Sequence, residues 1–208
     1  MSDILQILKE TEAMLPDDHF VGTSGGHFDT YINKDALYYH PAKASAVGKI
    51  FAEKFKDMDI DAVVGPAMGG VILSQWTAYH LSEMKGKEIF GLYTDKTPEG
   101  EQVLKRGYDK VANGKNILIV EDLTTTGLSV KKVVDTVKNA GGNVVAVCVM
   151  VNKNPKDVTS EMMGAPFYSL ADYPIEIYKA EECPLCQKGV PVNTKIGHGK
   201  KFLESQKQ

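Results

Sequence analysis

Cysteine is scarce in this chain, with three in 208 residues, at positions 148, 183 and 186. So few, and an odd number, build no disulfide framework, which points to a reducing compartment. A basic excess is missing too. The 24 Lys and Arg stand against 27 Asp and Glu, for a formal charge of −3, so there is no footprint for general binding to nucleic acid or to acidic membranes. A small anionic substrate remains allowed, because local basic clusters form on near-neutral proteins. No stretch approaches the roughly 18 apolar residues of a membrane span, and residues 1–15 lack the apolar core of a signal peptide. These absences predict a soluble, cytoplasmic protein. Internal repeats, low-complexity runs and Pro-rich linkers are also lacking. With 43% hydrophobic residues, a chain of this length forms one domain with an adequate core.

What is present alternates. Ser2 is placed to cap a helix running through Met14 and Leu15, with Ile4, Leu5, Ile7 and Leu8 on its apolar side and Pro16 as its stop. Pro41 opens a second helix whose apolar face is Val47, Ile50, Phe51 and Phe55. Three runs, Ala62 to Val64, Ile117 to Val120 and Val144 to Val151, are nearly all apolar and rich in β-branched residues, as strands covered on both faces should be. Helical stretches Val71 to Leu81 and Leu128 to Ala140 lie between them, the latter closed by Gly141 and Gly142. The expected fold class is α/β with a central, mainly parallel sheet flanked by helices. Leu92 to Tyr108 reads as a mobile hairpin with a polar tip at Thr97-Pro98-Glu99-Gly100.

Ligands of open α/β sheets bind at the carboxyl ends of strands. The first run continues as Gly65-Pro66-Ala67-Met68-Gly69-Gly70, whose glycines allow backbone amides to approach a phosphate closely at a helix start. A plain tight turn would look the same, and neither the P-loop pattern nor the GxGxxG fingerprint of a dinucleotide-binding oxidoreductase is met. The second run continues as Glu121-Asp122-Leu123-Thr124-Thr125-Thr126-Gly127. Two carboxylates directly after a buried strand are costly unless they meet a metal, hydroxyls or cations. The threonines and glycine then offer donors to an anion. The competing reading makes the threonines a helix cap and leaves the acids solvated.

Val120 to Gly127 resembles the PRPP-binding signature of the type I phosphoribosyltransferases, PRPP being 5-phosphoribosyl 1-diphosphate. The likeness extends to the orotate phosphoribosyltransferases and their close homologues. Gly22-Thr23-Ser24-Gly25-Gly26-His27-Phe28-Asp29-Thr30-Tyr31 is similar to their N-terminal Ser-Gly segment, Val64 to Gly70 to their pyrophosphate loop, and Leu92 to Tyr108 to their flexible catalytic loop. The match covers about Leu15 to Pro191. It implies an N-terminal helix and hood over residues 1–40, an α/β core over 41–175 and a tail over 176–208. Two departures concern the base more than PRPP. Thr23 stands where these enzymes often carry Lys, and the hairpin has Asp95-Lys96 and Lys105-Arg106-Gly107, with no histidine.

The resemblance implies Mg²⁺-dependent transfer of phosphoribosyl from PRPP to orotate, giving orotidine 5′-monophosphate and pyrophosphate. Thr124, Thr125, Thr126 and Gly127 would hold the 5-phosphate, with Leu123 in the same loop. Glu121 and Asp122 would bind ribose hydroxyls and contribute to the Mg²⁺ site, the ion being held mainly by substrate. Ala67, Met68, Gly69 and Gly70 would meet the pyrophosphate, and Lys96, with Lys105 or Arg106, would close over it. Ser24, Gly25, Gly26 and His27 would line the base pocket, although a single His is more often structural. A homodimer sharing its flexible loop across subunits is implied as well, and Trp76, Tyr79 and Met84 suit either core or interface. A purine phosphoribosyltransferase and a non-catalytic PRPP-sensing regulator are the alternatives. Cys183 and Cys186 form one CxxC, half of a zinc ligand set, with His198 as a third candidate. A turn that merely packs the tail is the simpler reading.

Overall fold

Alternation inside the apolar runs decides which helices they meet. Successive strand side chains point to opposite faces, and in the strand around residues 117–120 that rule divides the core in two. Leu118 and Val120 join Phe51, Phe55, Leu73 and Leu81 on one side. Ile117 and Ile119 join Val130, Val133, Val134 and Val137 on the other. The structure, a computed structural model, describes residues 3–206.

The chain begins with helix α1 (Asp3–Glu10) and two small antiparallel pairs: β1 (Met14–Leu15) with β4 (Tyr31–Ile32), and β2 (Phe20–Val21) with β3 (His27–Phe28). Helices α2 (Lys34–Tyr38) and α3 (Pro41–Phe55) lead into strand β5 (Ala62–Pro66), helix α4 (Gly69–Lys85), strands β6 (Phe90–Lys96) and β7 (Gln102–Val103), and short helix α5 (Tyr108–Ala112). Strand β8 (Asn116–Thr124), helix α6 (Leu128–Asn139) and strand β9 (Asn143–Asn152) follow. Helix α7 (Ser160–Met163), strand β10 (Phe167–Asp172) and helices α8 (Pro184–Gln187) and α9 (Gly199–Ser205) complete the chain. The six-stranded sheet has the order β10-β9-β8-β5-β6-β7, all pairs parallel except β6 with β7.

The first helix is shorter than the sequence suggests. It ends at Glu10, and Met14 and Leu15 form a strand against Tyr31 and Ile32. The stop is conformational: Glu12 adopts a left-handed φ of 52°, while its amide reaches Lys9 O and that of Ala13 reaches Leu8 O. These two bonds are a Schellman end, made without the usual glycine. Ser2, the expected cap, lies outside the described residues. The hairpin of β6 and β7 also differs from expectation, because it is docked. Lys132 Nζ on α6 donates to Gly100 O at 2.9 Å and pairs with Glu101, and Thr136 Oγ1 donates to Gln102 O at 2.8 Å.

Strand order positions the site. From β5 the chain passes through α4 to β6 on one side, then crosses to β8 on the other. The loops after β5 and β8 therefore diverge at a switch point, where an open α/β sheet leaves a crevice.

Candidate active site

Strand β8 carries its apolar pattern into two acids. Glu121 and Asp122 are both buried, Asp122 to 5% exposure. Two buried carboxylates need partners, and the protein concentrates them on Asp122. Its Oδ2 accepts from Tyr38 Oη at 3.0 Å and pairs with Lys34 Nζ at 3.1 Å, while Oδ1 accepts from Leu123 N at 2.6 Å. Glu121 Oε1 accepts from Asp122 N at 2.8 Å. Burial, reinforced by the adjacent Asp122 carboxylate, pushes Glu121 well above the ordinary carboxylate range. Burial alone would depress the Lys34 ammonium, but the Asp122 charge and hydrogen bond, with Asp35 and Glu121 nearby, together outweigh it and hold that lysine above its usual value. Tyr38 is raised by burial and then by Asp122, which keeps its hydroxyl a donor.

The loop after β5 abuts this acidic pair. An added Cβ at Gly69 would stand 1.8 Å from Asp122 Oδ2 and 2.7 Å from Tyr38 Oη, so no side chain fits there. A cis peptide joins Ala67 to Met68, Ala67 N donates to Thr94 O at 2.9 Å, and the Met68 side chain is exposed. Gly69 and Gly70 begin α4.

The loop after β8 turns into α6 at Gly127, whose φ of 73° favours glycine. Its three threonines divide. Thr124 is buried, and its Oγ1 accepts from Gly127 N at 3.0 Å, bracing the turn. Leu123, Thr125 and Thr126 instead line a cavity of about 430 Å³. The opposite wall is the β2–β3 hairpin with the segment after it, including Thr23, Ser24, Gly26, Phe28 and Lys34, and Lys153, Ile175 and Ile177 complete the lining. Lys153 is largely buried, which lowers its pKa against the opposing pull of Asp122.

The expected base-pocket residues therefore separate. Ser24 and Gly26 line the cavity. Gly25 does not, standing at the hairpin turn with a φ of 80°. His27 is a correction: it follows the turn on β3 with its ring fully buried away from the cavity, beside His19, Cys183 and Cys186. His198 is no neighbour of that group, since its Nε2 meets Thr23 Oγ1 at 3.1 Å. Thr124 braces the loop as well, its hydroxyl accepting from Gly127 while its own proton stays available to an anion.

None of the hairpin cations lines the cavity. Arg106 pairs with Asp95 at 2.5 Å, and its guanidinium lies 5.6 Å from the Tyr93 ring centroid. Among the described residues, Lys96 and Lys105 have no acidic partner. Lys34, Tyr38 and Lys153 are the residues that sequence reasoning missed. Lys153 had a signal, since it follows the third buried run at the carboxyl end of β9.

A cavity at a switch point, lined by Thr125, Thr126, Lys34 and Lys153 and joined to the acid pair through the Lys34–Asp122 ion pair, suits an anionic sugar phosphate with a second planar or anionic group. Comparison with known proteins agrees. Residues 33–163 match the phosphoribosyl transferase domain. The orotate phosphoribosyltransferase of Thermoanaerobacter sp. is 37% identical over 190 residues, covering 91% of this chain and 94% of the relative. That of Thermotoga maritima is 36% identical over 198 residues, covering 95% and 100%. In fold the chain is similar to the crystal structure of orotate phosphoribosyltransferase from Aeropyrum pernix, with a TM-score of 0.64 at 23% identity, covering 81% of this chain and 93% of that one. With its acidic pair, its phosphate loop and this degree of identity to two relatives, the chain belongs to the phosphoribosyltransferase family, in its orotate phosphoribosyltransferase branch.

Proposed function

We propose that this protein transfers the phosphoribosyl group of PRPP to orotate, releasing pyrophosphate and forming orotidine 5′-monophosphate. The observation that carries the proposal is the joining of the buried Glu121–Asp122 pair and the Thr125–Gly127 helix start to a cavity that also holds Lys34 and Lys153. Orotate is a planar anion, and Lys153, which lines the cavity without an ion-pair partner among the described residues, fits its carboxylate better than it fits a neutral purine.

The reaction breaks the C1–pyrophosphate bond as a ring nitrogen of the base bonds to C1, through an oxocarbenium-like ribose of the kind met in glycosidic cleavage. Positioning and charge then dominate the barrier. Thr125, Thr126 and the amides at the start of α6 hold the 5-phosphate, where the helix dipole favours an anion. Asp122 and Glu121 accept from the ribose hydroxyls, Asp122 as a carboxylate and Glu121 once the positive charge developing on the sugar favours its ionisation. Amides of the Met68–Gly70 loop donate to the pyrophosphate. Lys96 and Lys105 close over it and exclude water, and Arg106 adds to them once it leaves Asp95.

The acidic pair also fits Mg²⁺, since among the described residues Lys34 alone is ion-paired with it and the Glu121 carboxylate is costly to ionise there. Bound mostly by substrate oxygens and waters, with Glu121 and Asp122 within the site, the ion would neutralise charge on the leaving pyrophosphate. A homodimer completes the reading. Its support is that none of the hairpin cations lines the cavity of its own chain, and that α4 exposes Tyr79 beside Trp76 and His80. No described helix is long and apolar enough to cross a membrane.

The test is turnover with PRPP, Mg²⁺ and orotate, followed by loss of orotate absorbance, with adenine, guanine, hypoxanthine, xanthine and uracil in parallel. Orotate-dependent turnover that Lys96→Ala abolishes while PRPP still binds is the expected result. Turnover with a purine alone would move the protein to a purine substrate, and PRPP binding without turnover would make it a sensor.

A further inference from the structure

The geometry points to a structural zinc site of two histidines and two cysteines, His19, His27, Cys183 and Cys186, which ties the β2–β3 hairpin to the C-terminal tail. The candidate ligand atoms all lie within 4.8 Å of one another. His19 Nε2 is 3.7 Å from each Sγ, and His27 Nδ1 is 3.4 Å from Cys186 Sγ. A tetrahedral zinc with ordinary Zn–N and Zn–S lengths sets N···S edges of about 3.6 Å. The two nitrogens stand 2.8 Å apart and need separate by only about half an ångström to complete the tetrahedron.

Three further observations favour a metal over a chance cluster. His19, His27 and Cys183 are fully buried, yet two thiolates and two neutral imidazoles around a divalent ion sum to zero charge, so the loaded site can stay buried. His19 Nδ1 lies 2.8 Å from the Val190 carbonyl. A carbonyl can only accept, so Nδ1 carries the proton and Nε2 is left bare toward the cluster, as metal-binding histidines are commonly oriented. His27 Nε2, by contrast, has no hydrogen-bond partner among the described residues, and its ring meets Phe202 edge to face at 4.6 Å. Only the Nδ1 side of that ring faces polar atoms.

The site has a structural location. His19 and His27 flank the hairpin whose Thr23, Ser24 and Gly26 line the cavity. Cys183 and Cys186 lie on the tail, which bonds the same hairpin through Asn193 N to His19 O and His198 N to Val21 O. The ion therefore fixes one wall of the cavity without touching substrate. That consequence, unlike the metal site, rests on the orotate reading.

Elemental analysis of the purified full-length protein tests the site, with an expected content near one zinc per chain. Cobalt(II) exchanged for the metal should give the strong visible bands of a tetrahedral thiolate site. His19→Ala, His27→Ala and Cys183→Ser should lose the metal, and His198→Ala should keep it. If the ligand variants do not fold, chelation and zinc readdition on the unaltered protein decide, with unfolding temperature falling and then recovering. Metal-free protein whose unfolding temperature neither chelator nor zinc moves, a Cys183–Cys186 disulfide in the mass spectrum, or zinc lost from His198→Ala but kept in His19→Ala would each overturn the proposal. Chelation should also raise the KM for orotate and spare PRPP affinity. If the protein turns over another base instead, the orotate reading fails and the metal measurements still stand.

Discussion

Glu121 shows how one buried side chain links stability to pH. In the unfolded chain its carboxyl releases a proton near 4.5, whereas in the native state burial and Asp122 hold the proton to well above that value. As pH rises from 4.5 toward the native value, the native protein binds a proton that the unfolded one has released, so stability falls across that window. Glu121→Gln should flatten this part of the profile, raising the unfolding temperature toward neutral pH while turnover collapses. Thermal unfolding of both proteins against pH checks it, and parallel curves would refute it. Lys153 makes a different prediction. If it meets the orotate carboxylate, Lys153→Met removes a charge-assisted hydrogen bond of about 1.5–3 kcal/mol. The KM for orotate should rise roughly ten- to a hundredfold with PRPP affinity unchanged. Steady-state kinetics with each substrate varied separates this from a general loss of structure.

At the scale of elements, the turn into α6 carries the clearest sensitivity. Gly127 has a φ of 73°, and an added Cβ would lie 2.9 Å from the side chains of Met162 and Met163. Gly127→Ala should cost about 1–2 kcal/mol for the left-handed backbone alone. It should also weaken PRPP binding, because the same turn aims Thr125 and Thr126. Calorimetry with and without PRPP measures both effects, and an unchanged unfolding temperature would show that the turn relaxes freely. This region was also the most legible in the sequence. Ile117 to Val120 reads as a strand because both faces are apolar, and acids followed by Thr-Thr-Thr-Gly have no simple structural use. What was hidden depends on long-range proximity. His19 and His27 are far along the chain from Cys183, and no periodicity announces such a set. Lys34 looks like any solvated lysine until Asp122 is placed beside it. The first helix was overextended because its stop is Glu12 in a conformation that glycine usually signals.

For the whole molecule, the separation of the hairpin cations from the cavity of their own chain gives a mixing experiment. In a homodimer with shared loops, Lys96→Ala and Asp122→Asn remove different halves of each site. Each variant alone should be inactive, and co-refolding the two should restore a fraction of activity, since some mixed dimers assemble one intact site. No recovery from stable mixed dimers would confine each loop to its own chain. The pairing of the β2–β3 hairpin with the tail has an implication for synthesis. Strands β5, β8 and β9 and their helices leave the ribosome before the tail and can assemble a sugar-phosphate cradle while the tail is still being made. The wall against the base has its partners at Tyr178, Asn193 and His198, so it is completed only after those residues have been made. A nascent chain arrested before Tyr178 should thus capture PRPP yet remain blind to the base.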